Sequence, residues 1–344
     1  MAIAREESAG LPASARRPLR VLVVWLPWIP VATAAIAFAL GVDIPREWRY
    51  VPLVVSVVAF GLPHGAVDWA ALPRAATGRL APRWLAVVGI LYLGLGAVYA
   101  AGWFLAPVAA AGVFLALTWF HWGQGELHPL RDVLGADHLD ARWRRALTVT
   151  VRGALPMGVP LVAFPRRYRT VLDSFVAPFG GTVPAWPFGA DARLALAGAL
   201  VALTIGTLAA GYRTSSNLRS WALDAGETAL LWAYFLAVPP VFAIGLYFCC
   251  WHAPRHVARV LALDDESLDA LSRGSLVGPL ARFAREAAVP SLVALVGCAA
   301  LWRLAPSPDL TLEGAVAVYL VAIAVLTLPH VVVVTWMDRF AGYW

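Results

Sequence analysis

Val241-Phe-Ala-Ile-Gly-Leu-Tyr-Phe-Cys-Cys-Trp-His-Ala-Pro-Arg-His256 decides what kind of chain this is. No residue from Val241 to Trp251 is charged, and His252 and His256 then follow four apart. Two residues at that spacing share one face of a helix, with Cβ atoms roughly 5–6 Å apart, so both imidazoles can reach one ion. The pair lies about a dozen residues into an apolar helix, at membrane depth, where ionisable groups are costly and mark function. Pro254 cannot donate to the Cys250 carbonyl and is expected to kink the helix. In a bilayer the freed carbonyl needs a partner inside the protein. Taken alone, the pair would also fit a packing role, each imidazole satisfied by a neighbouring helix. The rest of the chain decides between the two.

The composition puts those helices in a membrane. The chain has 344 residues, 60% hydrophobic and only 14% charged, with a mean hydropathy of +0.71. Soluble domains carry about 25% charged residues, so this is an integral membrane protein with little aqueous domain. Its net charge of +6 is no sign of nucleic-acid binding, because the arginines are scattered over short connections and form no stripe. Cys249, Cys250 and Cys298 are too few for a disulfide framework and all lie in apolar segments. The acidic Glu6 and Glu7 and the lack of a cleavage motif mark the first apolar run as a retained helix, not a signal peptide.

Working outward, ten apolar stretches are long enough to span a core of about 30 Å. They are 20–41, 50–72, 84–106, 108–128, 146–164, 190–211, 221–238, 240–261, 287–305 and 312–336. The expected fold is therefore all-α, a polytopic bundle of about ten transmembrane helices. Residues 1–19 read as a disordered cytoplasmic leader and 20–344 as a single transmembrane domain. The loop 129–145 is polar and amphipathic. Residues 165–189, rich in proline and glycine, are expected to be irregular and interfacial. Residues 262–286 open with Leu-Asp-Asp-Glu-Ser, a helix start, and read as a surface helix. With the N-terminus inside, eighteen arginines fall in inward-facing segments, against five outside (Arg46, Arg49, Arg166, Arg167 and Arg169). That bias orients the chain N-in and C-in.

Five of the seven histidines lie inside the apolar helices: His64, His121, His252, His256 and His330. All four of their helices run from outside to inside, which puts the five at one depth, in the cytoplasmic half of the bilayer. Random placement would scatter them over both halves, so the coincidence favours one metal site. His128, at a helix end before Pro129, reads as interfacial, and His138 lies in a loop. Asp68 is one turn beyond His64 and is placed to accept its second N–H, as carboxylates do for metal-bound imidazoles. Gly123 and Gly125 around His121 allow close helix approach, and Glu126 offers a further acceptor. Imidazole suits zinc, iron, copper and nickel alike. Cys249 and Cys250 point elsewhere on their helix, and the residues alone leave a redox iron and a water-activating zinc both open.

Pro63-His64-Gly65 with Asp68, Phe120-His121-Trp122-Gly123, Trp251-His252 with Arg255-His256, and Pro329-His330 together resemble the Brp/Blh family. These are membrane β-carotene 15,15′-dioxygenases that supply retinal to microbial rhodopsins. The resemblance runs from about residue 55 to 336, in the family's motif order. It implies iron(II) held by His64, His121, His252 and His256, with β-carotene and O2 as substrates, in the cell membrane. Since four ligands must leave a position open for O2, a fifth imidazole would crowd the ion. His330 is therefore assigned to the pocket wall or beside the ligands, with Asp68 and Glu126 orienting imidazole N–H groups. The chain departs from the family at Ala253 and Pro254, where serine often follows the first histidine of the pair, and at Trp122, often phenylalanine. Neither change touches an implied ligand. A channel lined by aromatics and aliphatics would hold the polyene, and a lateral opening is expected because the substrate dissolves in the bilayer. The competing readings are a zinc hydrolase with Glu126 or Asp68 as base, and a metal or proton transporter. A transporter would place polar residues at several depths.

Overall fold

A computed structural model describes residues 11–45, 47–59, 61–305 and 311–344. Arg5, Glu6, Glu7 and Arg46 lie outside these. Among the described residues there are sixteen α-helices and no strand. In chain order they are α1 (Ala13–Arg20), α2 (Leu26–Ala39), α3 (Val51–Val58), α4 (Gly61–Ala66), α5 (Asp68–Thr77), α6 (Pro82–Leu105), α7 (Pro107–Gln124) and α8 (Arg142–Ala163). There follow α9 (Pro165–Val176), α10 (Ala190–Thr214), α11 (Leu218–Ala237), α12 (Pro240–Tyr247), α13 (Ala253–Leu261), α14 (Asp265–Ser272), α15 (Val277–Leu304) and α16 (Leu312–Phe340). Each of the ten expected spans is mostly helical among the described residues. Seven of the helical runs, counting 13–39 and 47–77 as one each, are long and apolar enough to cross a membrane.

Three stretches differ from expectation. The leader is helical from Ala13, and Ala15 and Leu19 are fully buried, because the arginine-rich turns keep one apolar face that packs on α14. The stretch 165–189 is not irregular throughout. Pro165 occupies the first helical turn, where its missing N–H costs nothing, and Tyr168, Leu172, Phe175 and Val176 then form one buried stripe on α9. The residues assigned to a surface helix divide between the short α14 and the first turns of α15. Asp264 caps α14, its carboxylate accepting the Ser267 N–H at 3.0 Å. Arg74 ties this region to α5, with a two-pronged grip on Glu286, both bonds 2.7 Å, and Asp264 at 3.1 Å.

Two glycines let α7 and α8 approach so closely that any side chain would collide. A Cβ on Gly123 would strike the Val149 carbonyl, and one on Gly153 would strike that of Trp119. That contact fixes the helix carrying His121.

In the connection from α7 to α8, Asp137 holds the turn that starts α11. Its carboxylate accepts from the Ser215 hydroxyl at 2.8 Å, the Ser216 N–H at 2.8 Å, the Asn217 N–H at 3.0 Å and the Ser216 hydroxyl. Partial burial opposes ionisation, but these donors outweigh it and hold Asp137 below the usual carboxylate range. A depressed folded pKa contributes stability above the unfolded value of about 3.9, and the contribution is lost as pH falls toward the folded one. The thermal midpoint should therefore drop faster from about pH 5 to pH 3 in the native chain than in Asp137→Asn. Equal slopes would remove Asp137 from the pH response.

Candidate metal centre

Five helical segments deliver five imidazoles to one point. His64 comes from the short α4, His121 from the last turn of α7, and His256 from α13. His252 ends a π-helical turn, Phe248–His252, that precedes Pro254. The expected kink takes this form: the Ala253 N–H reaches back to the Phe248 carbonyl, an extra residue is accommodated, and the proline starts a new helix. His330 follows Pro329 inside α16.

All five side chains are buried. The ring centroids of His64 lie 5.0 Å from His330, 5.3 Å from His256 and 5.4 Å from His252. His121 lies 4.6 Å from His330 and 4.8 Å from His252. His121 Nε2 and His252 Nε2 are 3.1 Å apart. Two nitrogens bound to one ion at about 2.1 Å would be separated by roughly 3.0–3.4 Å, so this spacing suits a shared ion. Donor atoms of His64, His121 and His330 lie within 4.8 Å of one another, as do those of Asp68, His256 and His330. His256 Nε2 and His330 Nε2 are buried with no hydrogen-bond partner, which a native interior rarely tolerates unless an ion or water belongs there. The donor set fits a first-row transition metal. No cysteine joins it among the described residues.

Of the two carboxylates, Asp68 meets an imidazole and Glu126 meets a guanidinium and an indole. The Asp68 carboxylate accepts from His330 Nδ1 at 2.8 Å and from the Tyr92 hydroxyl at 2.6 Å, and His64 Nδ1 faces the Gly61 carbonyl. Glu126 orients no imidazole: it accepts from Arg255 at 2.7 Å and from the Trp251 indole at 3.0 Å. His128 and His138 stand apart from the cluster but are buried. His128 lies 3.9 Å from Asp132, and His138 pairs with Asp224 at 3.0 Å.

His64, His121 and His330 border a cavity of about 880 Å³ whose walls are otherwise almost wholly apolar. Its volume suits a large hydrophobic ligand. Trp122, 5.7 Å from the His252 ring, and Phe248, 5.4 Å from His64, pack against the imidazoles where the cavity begins.

The pattern described as beta-carotene 15,15'-dioxygenase matches residues 55–338. The chain belongs to the β-carotene 15,15′-dioxygenase family. It is 54% identical over 333 residues to the probable beta-carotene 15,15'-dioxygenase Blh of Halobacterium salinarum, covering 96% of each chain. It is 32% identical over 333 residues to the same organism's probable beta-carotene 15,15'-dioxygenase Brp, covering 91% of this chain and 90% of that one. No solved structure matches it.

Behind the histidines of this dioxygenase-family chain lies a charge cluster that the sequence reading missed. Arg255 binds Glu227 at 2.5 Å, Glu126 at 2.7 Å and the Val23 carbonyl at 2.8 Å. Its guanidinium stacks 4.2 Å from the Trp251 ring centroid. Arg152 binds Asp224 at 2.6 Å and Glu227 at 3.0 Å, and Trp28 donates to Glu227 at 2.9 Å. Arg259 pairs with Asp338 at 2.7 Å, and Asp338 also accepts from Gln124, three residues past His121, at 2.5 Å. A signal was present: Arg152, Asp224, Glu227 and Arg255 all interrupt apolar helices, where ionisable groups must find partners inside the protein.

Proposed function

We propose that this protein cleaves the central 15,15′ double bond of β-carotene with O2, giving two molecules of retinal, at an iron(II) ion held by intramembrane histidines. The observation that carries the reading is the five-imidazole cluster opening onto a large apolar cavity. Its direct test is retinal formation when β-carotene is added to the purified, iron-loaded protein. A protein that retains iron but makes no retinal would overturn the reading.

In this reading His64, His121, His252 and His256, with His330 as a fifth, hold the iron, which when bound supplies the redox chemistry toward O2. The neutral imidazoles add no negative charge, so the ion's full charge is kept. The apolar walls hold a rod-like hydrocarbon with its midpoint beside the histidines and exclude water from that point. A zinc hydrolase would need a free carboxylate as base. Glu126 is engaged by Arg255 and Trp251, and Asp68 by His330 and Tyr92, which disfavours that alternative. We place the protein in the cell membrane with both termini inside, and its retinal product fits delivery to a microbial rhodopsin.

His330 moves, in this proposal, from the pocket wall to the ligand set. With Nδ1 donating to Asp68, its Nε2 lone pair is free and buried beside the other imidazoles, the arrangement of a carboxylate-oriented metal ligand. His330→Ala should therefore lose iron as fully as His252→Ala. Asp68→Asn and Tyr92→Phe should keep the ion more weakly, with losses of about 10–100-fold in affinity or activity. Metal analysis of the purified variants checks this, and full iron in His330→Ala would return His330 to the wall.

A further inference from the structure

The cavity is not closed on all sides. Gly89 and Leu93 of α6 and Val289, Val293 and Gly297 of α15 line it, yet Leu93 is 77%, Val289 68% and Val293 66% exposed. A side chain that borders a cavity and is also largely exposed marks an opening. The two helices that carry these residues both pack on α16, but they barely touch each other. Only 6% of the most apolar window of α15 is buried, so most of that stretch faces outward. The floor of the gap is α16, whose Ile323, Leu326 and His330 continue the lining inward to the imidazoles. Every side chain named on the two walls is apolar, so water gains nothing there and a hydrocarbon does.

We infer that the slot between α6 and α15 is the lateral mouth of the cavity, through which an apolar polyene passes from the bilayer to the histidine cluster. The inference rests on the proposed carotenoid cleavage for its occupant. What the structure adds is where the path lies and what keeps it open. Gly89 and Gly297 stand one on each wall, and a Cβ built on either meets nothing within 4 Å. Neither glycine is needed for helix packing, so each leaves room that a larger side chain would fill. The continuity of the slot with the cavity, and its inward run to the imidazoles, favour a long hydrocarbon that reaches inward over a resting acyl chain.

The test fills the slot without touching the site. Gly89→Trp and Gly297→Trp are made in the full-length, iron-loaded protein and given β-carotene in phosphatidylcholine vesicles. Leu93→Trp and Val293→Trp, which enlarge side chains already exposed, stand in should either glycine variant fail to fold. Ile90→Trp and Val296→Trp are the controls, both positions 70% exposed on the same helices and outside the cavity lining. The slot variants should lose about tenfold or more in kcat/KM with kcat largely kept at saturation, the mark of impaired access. Their iron content should match the native chain, and the controls should be unchanged. Transfer of β-carotene from vesicles to the metal-free protein, read by quenching of tryptophan fluorescence, should slow in parallel. If the native protein takes up β-carotene but makes no retinal, the proposed reaction fails and the transfer rates alone judge the slot. Equal rates in slot variants and controls would overturn the mouth and leave the groove to acyl chains, whatever the reaction. A native protein that neither takes up nor cleaves β-carotene would overturn both.

Discussion

His252→Ala and His121→Ala are expected to abolish retinal formation and to strip the iron, while the protein still inserts in the membrane. Their Nε2 atoms face each other at 3.1 Å, the spacing of two donors on one ion. Removing either ring takes away a donor and leaves the other aimed at an incomplete site. The loss should exceed the roughly 10–100-fold that follows from losing a residue that only orients a ligand. His64→Ala and His256→Ala belong to the same class. His128→Ala is the control and should keep its iron, since His128 approaches Asp132 and not the cluster. His138 is a poorer control than its loop position suggests, because its loss would take one of two partners from the buried Asp224. Iron content and retinal yield, measured together, decide the matter. Full iron and full activity in any one of the four would remove that histidine from the ligand set.

The histidines were legible in the sequence because their signal is local and one-dimensional. Each is an ionisable residue inside an apolar run, and helical rise converts position in the run into depth. The proline–histidine pairs and the His252/His256 spacing add local geometry to depth. The carboxylates were not legible for the opposite reason. Asp68 reaches His330, 262 residues away in sequence. Glu126 follows His121 closely but reaches Arg255, 129 residues on. Nothing in the spacing encodes such partners; they follow from which helices pack, and helix packing is set by contacts such as those at Gly123 and Gly153. The helix α9 was hidden by counting prolines without asking where they sit, since Pro165 begins a helix that an internal proline would have broken.

Glu227→Ala is expected to have the largest effect on stability of any single change outside the histidines. Glu227 is fully buried and accepts from both Arg255 nitrogens at 2.5 and 3.1 Å, from Arg152 at 3.0 Å and from Trp28 at 2.9 Å. Its removal leaves two buried guanidinium groups sharing Glu126 and Asp224. Each guanidinium keeps one carboxylate, but the bonds to Glu227 are lost and the Trp28 indole N–H is left without its acceptor, at about 1–3 kcal/mol for an unsatisfied buried group. Glu227→Gln keeps acceptor capacity but not the charge, and should fall between the native chain and Glu227→Ala. The damage should also reach the metal. Arg255 immediately precedes His256 on α13, so loosening its anchor frees the turn that carries two of the imidazoles. A lower thermal midpoint accompanied by weaker iron retention is thus the expected pair of results, measured on the detergent-purified protein. A double cycle with Arg255→Ala should show coupling well above the 0.3–0.5 kcal/mol scatter expected of independent sites, roughly 0.5–3 kcal/mol. Native stability in Glu227→Ala would mean that the charge cluster is no structural anchor. Loss of stability with undiminished iron affinity would cut the link from the cluster to His256, and leave the histidines supported by the α7–α8 contact and the Asp68–His330 bond alone.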